Sequence, residues 1–217
     1  MLKRFAVVLA SLFAPLLATA AAAAPLTAGI DYAEVSPQPT DSPGKVEVVE
    51  FFWYGCPHCY DLEPALEAWV KKLPKDVVFK RVPAAFNEQW AIAGRVYYTL
   101  DAIGEAERLH RALFDAIHRD HLRITSESEM ADWLKKQNVD VAKYAAAYKS
   151  FAVDSRLKRA VQLLEGYRID GKPAIDGVPA LVVQGRYLAN GSMSGSREKL
   201  LQTVDYLIAQ VRKNHGR

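Results

Sequence analysis

The two cysteines of this 217-residue chain stand two residues apart, within Phe51-Phe52-Trp53-Tyr54-Gly55-Cys56-Pro57-His58-Cys59-Tyr60. Thiols at that spacing can form a redox pair, supply half of a zinc site, or have no joint role. A thiol attacks only as its thiolate, so redox chemistry requires something that stabilises the anion. If a helix begins near Pro57, the Cys56 sulfur faces unpaired N–H groups of its first turn and the positive end of the macrodipole. Pro57 suits that turn because its missing donor costs nothing there. The macrodipole supplies about 0.3–2 kcal/mol, or up to about one and a half pKa units. A larger depression needs directed hydrogen bonds, each worth about 1.5–3 kcal/mol to a charged acceptor. The local donors are the N–H groups of His58 and Cys59, the Cys59 thiol and the His58 ring, which as imidazolium would add charge. The plain alternative leaves His58 a solvated residue at a helix start. Cys59, one turn further in, is expected on the inner side, which makes Cys56 the attacked and attacking sulfur and Cys59 the resolving one.

Three other features could carry chemistry. Glu50 stands in an apolar run that ends at the cysteines. A carboxylate buried there is costly unless paired or protonated, and desolvation raises its pKa toward the range useful for proton transfer. It could relay a proton for Cys59 through water, or be satisfied by Lys80 or Arg81 on the next strand. Gly177-Val178-Pro179-Ala180 places a proline at a strand entrance, where a cis Val178–Pro179 bond would present the Val178 backbone to an extended peptide. His118 and His121 could join the cysteines in a metal site, although nothing in the sequence brings the pairs together; as i, i+3 neighbours they also read as a solvated helix end.

The elements that must position these residues follow from periodicity. Val46 to Tyr54 is a nearly continuous β-branched and aromatic run, the mark of a strand buried on both faces. Glu47, near its start, can be solvated. Leu62, Leu66, Trp69, Val70 and Leu73 recur at helical spacing up to Pro74, and Val77 to Pro83 reads as a second strand. Helices are predicted over Glu88 to Leu100 and Glu105 to Ile117. A third starts after Ser126, with Glu129 at capping-box spacing, a fourth after Asp140, and a fifth carries Val153, Leu157, Val161 and Leu164. A hairpin over Ala180 to Gln184 and Tyr187 to Ala189, turning at Gly185-Arg186, leads to a last helix through Val211. Its tail, Arg212 to Arg217, reads as a frayed, solvated end. Without the helical stretch the order is β-α-β, then β-β-α.

Met1 to Ala24 has the layout of a secretory signal: Lys3 and Arg4, an apolar stretch from Phe5 to Leu17, and alanines offering cleavage between Ala20 and Ala24. The apolar stretch is shorter than the roughly 20 residues that span a bilayer. Export would place the cysteines in an oxidising compartment, yet a Cys-x-x-Cys loop is too small to constrain the unfolded chain. The formal net charge of +3 points to neither nucleic acid nor a membrane surface as a partner.

Glu50-Phe51-Phe52, Cys56-Pro57-His58-Cys59-Tyr60 and Val178-Pro179-Ala180 together resemble the thiol:disulfide interchange proteins of the DsbA family. The resemblance covers nearly the whole chain after the leader. It implies an α/β thioredoxin fold with an inserted all-helical domain. Its parts would be a signal peptide (1–24), the first part of the thioredoxin domain (25–87), the helical insertion (88–165) and the second part (166–217). It also implies catalytic roles for Cys56, Pro57, His58, Cys59 and Glu50, substrate binding at a cis-proline loop of Val178 and Pro179, and an apolar groove beside the disulfide. No cofactor or metal is implied beyond the redox-active Cys56–Cys59 disulfide. The partners would be reduced secreted polypeptides in the periplasm and a DsbB-like quinone oxidoreductase of the inner membrane, with the protein acting as a monomer. A disulfide isomerase or reductase of the same fold, or a metal-binding Cys-x-x-Cys module, are the rival readings.

Overall fold

The computed structural model describes residues 26–215. The signal-peptide reading of residues 1–24 and the last two residues of the tail lie outside them. The chain begins with β1 (Ala33–Glu34), β2 (Val46–Phe52), α1 (Pro57–Val70) and β3 (Val77–Pro83). The helices α2 (Glu88–Ala102), α3 (Ala106–His118), α4 (Glu127–Lys136), α5 (Val141–Tyr148) and α6 (Phe151–Gly166) follow. A small hairpin, β4 (Arg168–Ile169) and β5 (Lys172–Pro173), precedes β6 (Ala180–Val183), β7 (Tyr187–Asn190), α7 (Gly191–Ser194) and α8 (Arg197–His215).

β2 organises the main sheet, whose order is β1-β7-β6-β2-β3. It runs parallel to β3 and antiparallel to β6, and every one of its residues is buried. Strand residues alternate between faces. Val46 and Val48 pack with Leu62 and Leu66 of α1 and with Leu200, Val204 and Leu207 of α8. Val49 and Phe51 meet Leu164 and Tyr167 on the opposite side. Each fully buried side chain of this size contributes about 1.5–3 kcal/mol of transfer free energy, so the register of β2 is firmly set. That register puts Glu50 on the face of Val48, beneath α1.

Several expectations needed correction. Glu47 is buried, not solvated, because the lead-in folds over the start of β2: its Oε2 accepts from Lys80 Nζ at 2.6 Å and from Ser42 Oγ at 2.8 Å. The lead-in is held there by Gln38, whose N–H donates to Gly185 O at 2.9 Å and whose Nε2 donates to Gly166 O at 2.8 Å. Gly185 has φ +61°, and a Cβ there would lie 2.2 Å from Gln38 O, so glycine is required. The Ser126 cap is half a capping box: its hydroxyl accepts from Glu129 N at 3.3 Å, but the Glu129 carboxylate turns to Arg123 N at 3.0 Å. The tail is exposed from Arg212 to Asn214, as expected, but Arg212 anchors it through two 2.8 Å hydrogen bonds from its guanidinium to Asp76. The β4–β5 hairpin was not foreseen, since its strands have two residues each; its Asp170-Gly171 turn, with φ of 50° and 75°, is the legible signal.

Candidate active site

Cys56 caps the N-terminus of α1 in extended geometry, with Pro57 directly after it in the helix. Its side chain is nearly covered, at 7% exposure, and Cys59 is fully buried at 0%. Both are free thiols, and Cys56 Sγ donates to Val178 O at 3.3 Å. Val178 precedes Pro179 across a cis peptide bond, so the loop before β6 sets a backbone carbonyl against the Cys56 sulfur.

The electrostatics separate the two sulfurs. A hydrogen bond from Cys59 is the strongest influence on Cys56. Together with the N–H groups of Cys59 and His58 and the His58 charge, it outweighs the opposing effect of burial and brings the Cys56 pKa down to about 6. Burial, with the hydrogen bond to Cys56 and the charges of Cys56 and Glu50, drives Cys59 well above the usual thiol range. His58 and Pro57 are exposed, so the imidazole acts on Cys56 from the solvent side.

Aromatic residues complete the surroundings. Trp53 stacks on Trp90 with ring centroids 4.2 Å apart, and Phe86 meets Trp90 edge-on. A Cβ on Gly55 would strike the Trp53 ring, which explains the glycine before Cys56. His118, read as a solvated helix end or a metal ligand, is instead packed: it stacks on Tyr60 at 4.6 Å and its Nε2–H donates to Tyr54 O at 2.8 Å. His121 is exposed and lies outside this contact, with φ 59°. Among the described residues no group of three or more His, Cys, Asp or Glu side chains is arranged to hold a metal ion.

A cleft of about 800 Å³ lies beside His58 and the cis-proline loop, with a lining that mixes apolar and polar residues. Leu62, Val178 and Pro179 line it together with Asp61, Asp176 and Glu198. The polar residues come from the N-terminal half of α1, the loop before the cis-proline, and the stretch from the end of β7 to the start of α8.

Beneath α1 lies a chain of buried ionisable groups. Arg81, not Lys80, is the partner of Glu50: the parallel register sets Glu50 opposite Arg81, and Arg81 Nε lies 3.3 Å from Glu50 Oε2. Lys80 alternates to the other face and takes Glu47. Arg81 Nη2 also donates to Glu63 Oε1 from α1. Glu63 Oε2 is 3.5 Å from His110 Nε2, and His110 Nδ1 is 2.9 Å from Tyr54 Oη. Sequence reading missed Glu63, His110 and Tyr54 as members. Glu63 was the accessible one, because it follows Cys59 by four residues and so shares its helix face. His110 looks like any residue of an amphipathic helix until α3 is docked.

One fixed cation faces two carboxylates here. Burial, followed by the Glu63 charge, overcomes the attraction of Arg81 and pushes the Glu50 pKa up to about 8. Burial also opposes ionisation of Glu63, but His110 and Arg81 outweigh it and hold Glu63 below the usual carboxylate range. The sign of the pH dependence follows. Glu50 binds its proton up to about pH 8 in the folded reduced protein, against 4.5 for an ordinary glutamate in water. Stability from this group is full below the lower value and is lost as pH rises through the upper one. Glu50→Gln should therefore leave stability nearly unchanged at pH 4 and raise it on the order of 2–4 kcal/mol at pH 9, at ~1.4 kcal/mol per unit. Urea denaturation of the reduced variant at the two pH values measures this.

A depressed thiolate at a helix start, a buried partner thiol beneath it and a backbone carbonyl across the cleft equip the chain for disulfide exchange. On this sheet, with helices α2 to α6 inserted between β3 and β4, they define a thiol–disulfide oxidoreductase of thioredoxin fold. Residues 78–200 match the family model of the DSBA-like thioredoxin domain. The thiol:disulfide interchange protein DsbA of Pseudomonas aeruginosa is 42% identical over 200 residues, covering 92% of each chain. That of Azotobacter vinelandii is 45% identical over 174 residues, 80% of this chain and 78% of the relative. The crystal structure of Pseudomonas aeruginosa DsbA superposes with a TM-score of 0.81 at 40% identity, over 88% of this chain and 97% of that one. The chain belongs to the DsbA family, whose chemistry is that of a redox-active disulfide rather than a bound cofactor.

Proposed function

We propose that this protein is a dithiol oxidase of the periplasm, donating the Cys56–Cys59 disulfide to reduced polypeptides after export. A substrate thiolate attacks Cys56 Sγ; a substrate–Cys56 disulfide forms as the Cys56–Cys59 bond breaks, and Cys59 leaves with the electron pair. Glu50 gives its proton to the Cys59 thiolate. A second substrate thiolate attacks the substrate sulfur of the mixed disulfide and expels Cys56 as a thiolate. Two electrons have then passed from substrate to enzyme, and a DsbB-like quinone-linked membrane protein removes them. The domain division given by the resemblance, and action as a monomer, belong to the same reading.

The observation that carries this direction of reaction is the low proton affinity of Cys56. A stable Cys56 thiolate makes it the better leaving group and favours the reduced enzyme, so the disulfide form oxidises others. Val178 and Pro179 would align the incoming peptide across the cleft. The leader layout of residues 1–24 supports export.

Redox titration of the cysteine pair against glutathione tests the oxidase reading: a potential near that of thioredoxin would sink it in favour of a reductase. His58→Leu removes the imidazole charge but leaves the backbone donors of residues 58 and 59. Its thiolate absorbance should titrate at a midpoint higher by roughly 0.5–1 pH unit, about 1 kcal/mol for a partly solvated charge. The variant should be a correspondingly weaker oxidant, by up to about tenfold in its equilibrium with glutathione.

A further inference from the structure

We infer that His110 is a positioning residue for the redox reaction: from α3 it holds Glu63 as the ionised carboxylate of the buried pair and so keeps the proton on Glu50, where Cys59 can take it. The inference rests on the reading of Glu50 as the buried acid and goes beyond it, since it says what decides where the acid's proton resides.

The argument begins with charge balance. Arg81 is the fixed cation of the cluster, so the group is neutral when one of Glu50 and Glu63 is ionised and the other is protonated. A buried ion left without a counter-charge costs several kcal/mol, which makes this the favoured occupancy. The choice between the carboxylates is made by donors, because a hydrogen bond to the charged form favours that form. Glu63 Oε1 accepts a hydrogen bond from Arg81 Nη2, and its Oε2 faces His110 Nε2 at 3.5 Å, both of these buried atoms lacking any other partner. Neither oxygen of Glu50 accepts a hydrogen bond, and its contact with Arg81 Nε at 3.3 Å is a charge contact alone. The negative charge therefore goes to Glu63 and the proton to Glu50.

His110 can serve Glu63 only in one tautomer. Neutral imidazole carries its proton on one nitrogen and accepts at the other. Tyr54 Oη lies 2.9 Å from Nδ1. When the phenol donates there, Nε2 must carry the hydrogen and presents it to Glu63. His110 is 3% exposed, and burial together with the Arg81 charge lowers its pKa, so it stays neutral and adds no second cation. The groups facing it are Phe52 at the end of β2 and Tyr54 just after it, Glu63 from α1, Arg81 from β3 and Tyr97 from α2, with Phe114 on its own helix. Beyond Tyr97, Asp101 pairs with Arg156 at 2.5 Å and contributes no unbalanced charge. His110 and Arg81 also line a cleft of about 840 Å³ between β3, α2 and α6, which shares no residue with the cleft beside the cis-proline loop.

Nitrogen-15 NMR of the imidazole in the reduced protein reads the tautomer without any substitution. A proton on Nε2 is expected; a proton on Nδ1 would overturn the inference. Carboxyl carbon-13 titration of Glu50 then compares His110→Leu, which has no donor, with His110→Gln, whose amide nitrogen can reach the Nε2 position. The leucine variant should lower the Glu50 midpoint by about one pH unit or more, a tenfold change in proton affinity, and raise that of Glu63. The glutamine variant should restore both. Equal Glu50 midpoints in the parent and the leucine variant would overturn the role of His110 while leaving Glu50 as the acid. The acid reading is tested separately: if Glu50→Gln leaves the pH profile of peptide oxidation unmoved, that reading fails, whatever His110 does. Should His110→Leu not fold, Tyr54→Phe replaces it. Loss of the phenol frees the other tautomer, and the Glu50 midpoint should again fall; no movement there overturns the inference.

Discussion

Cys56→Ser should abolish disulfide donation, lowering the rate of peptide oxidation by at least about three orders of magnitude, as loss of a nucleophile does elsewhere. Serine cannot form the exchangeable bond, and the one thiol that remains, Cys59, is fully buried. Cys59→Ser should behave differently. Its Cys56 keeps the backbone N–H groups and the His58 charge, and a serine hydroxyl can donate in place of the Cys59 thiol, the strongest influence on its pKa. It should still react with a disulfide, but the mixed disulfide then persists because no resolving thiol lies beneath it. Intact-mass spectrometry after incubation with a peptide disulfide should show one adduct per Cys59→Ser chain and none on Cys56→Ser. Adducts on Cys56→Ser would reverse the assignment of roles, which rests on the difference between 7% and 0% exposure and on the opposite directions of the two pKa shifts.

Arg81→Met is the substitution expected to cost the most stability. It removes the cation between Glu50 and Glu63 and leaves two carboxylates beneath α1 with no counter-charge. Breaking a buried pair in this way typically costs about 3–5 kcal/mol. The deficit should depend on pH. With Arg81 gone, both carboxylates hold their protons more tightly when folded than when unfolded. The native state then binds the excess protons, and stability falls as pH rises above the unfolded value of 4.5. Urea denaturation should therefore find a small deficit at pH 4 and the full one at pH 8. Adding Glu50→Gln should return part of the loss at pH 8, because one of the two repelling groups is then neutral. Arg81→Lys should fall between, since a single ammonium cannot reach both carboxylates as the guanidinium fork does. An equal loss at both pH values would mean that packing, and not charge, dominates at this position.

How much of this was legible in the chain varies by residue. The frame was readable because each element carries its own local signal. β2 announces itself by an unbroken β-branched run, α4 and α5 by Ser126 and Asp140 at their caps, and the β6–β7 hairpin by Gly185. The burial of Glu50 was readable for the same reason, since a charged residue inside such a run has nowhere to go. Glu47 was misjudged because its partner Ser42 belongs to an irregular lead-in whose path has no periodicity. His118 was misjudged because its stacking on Tyr60 joins α3 to α1, two helices separated by β3 and α2. The cleft beside the cis-proline loop draws acidic side chains from three separate segments whose meeting no single stretch announces.

The sequence by itself determined the reactive pair, its place at a strand-to-helix junction, and the fold that such a junction implies. Those depend on neighbours along the chain, where spacing and hydrogen-bonding rules act over a few residues. Only the tertiary structure decided which basic residue meets Glu50, because Lys80 and Arg81 differ by one step and the register of β3 against β2 selects between them. Only it brought Glu63, His110 and Tyr54 to the same buried acid. The reason is physical: an ionised group beneath a helix feels every charge within a few ångströms in a low-dielectric interior, whatever its distance in sequence.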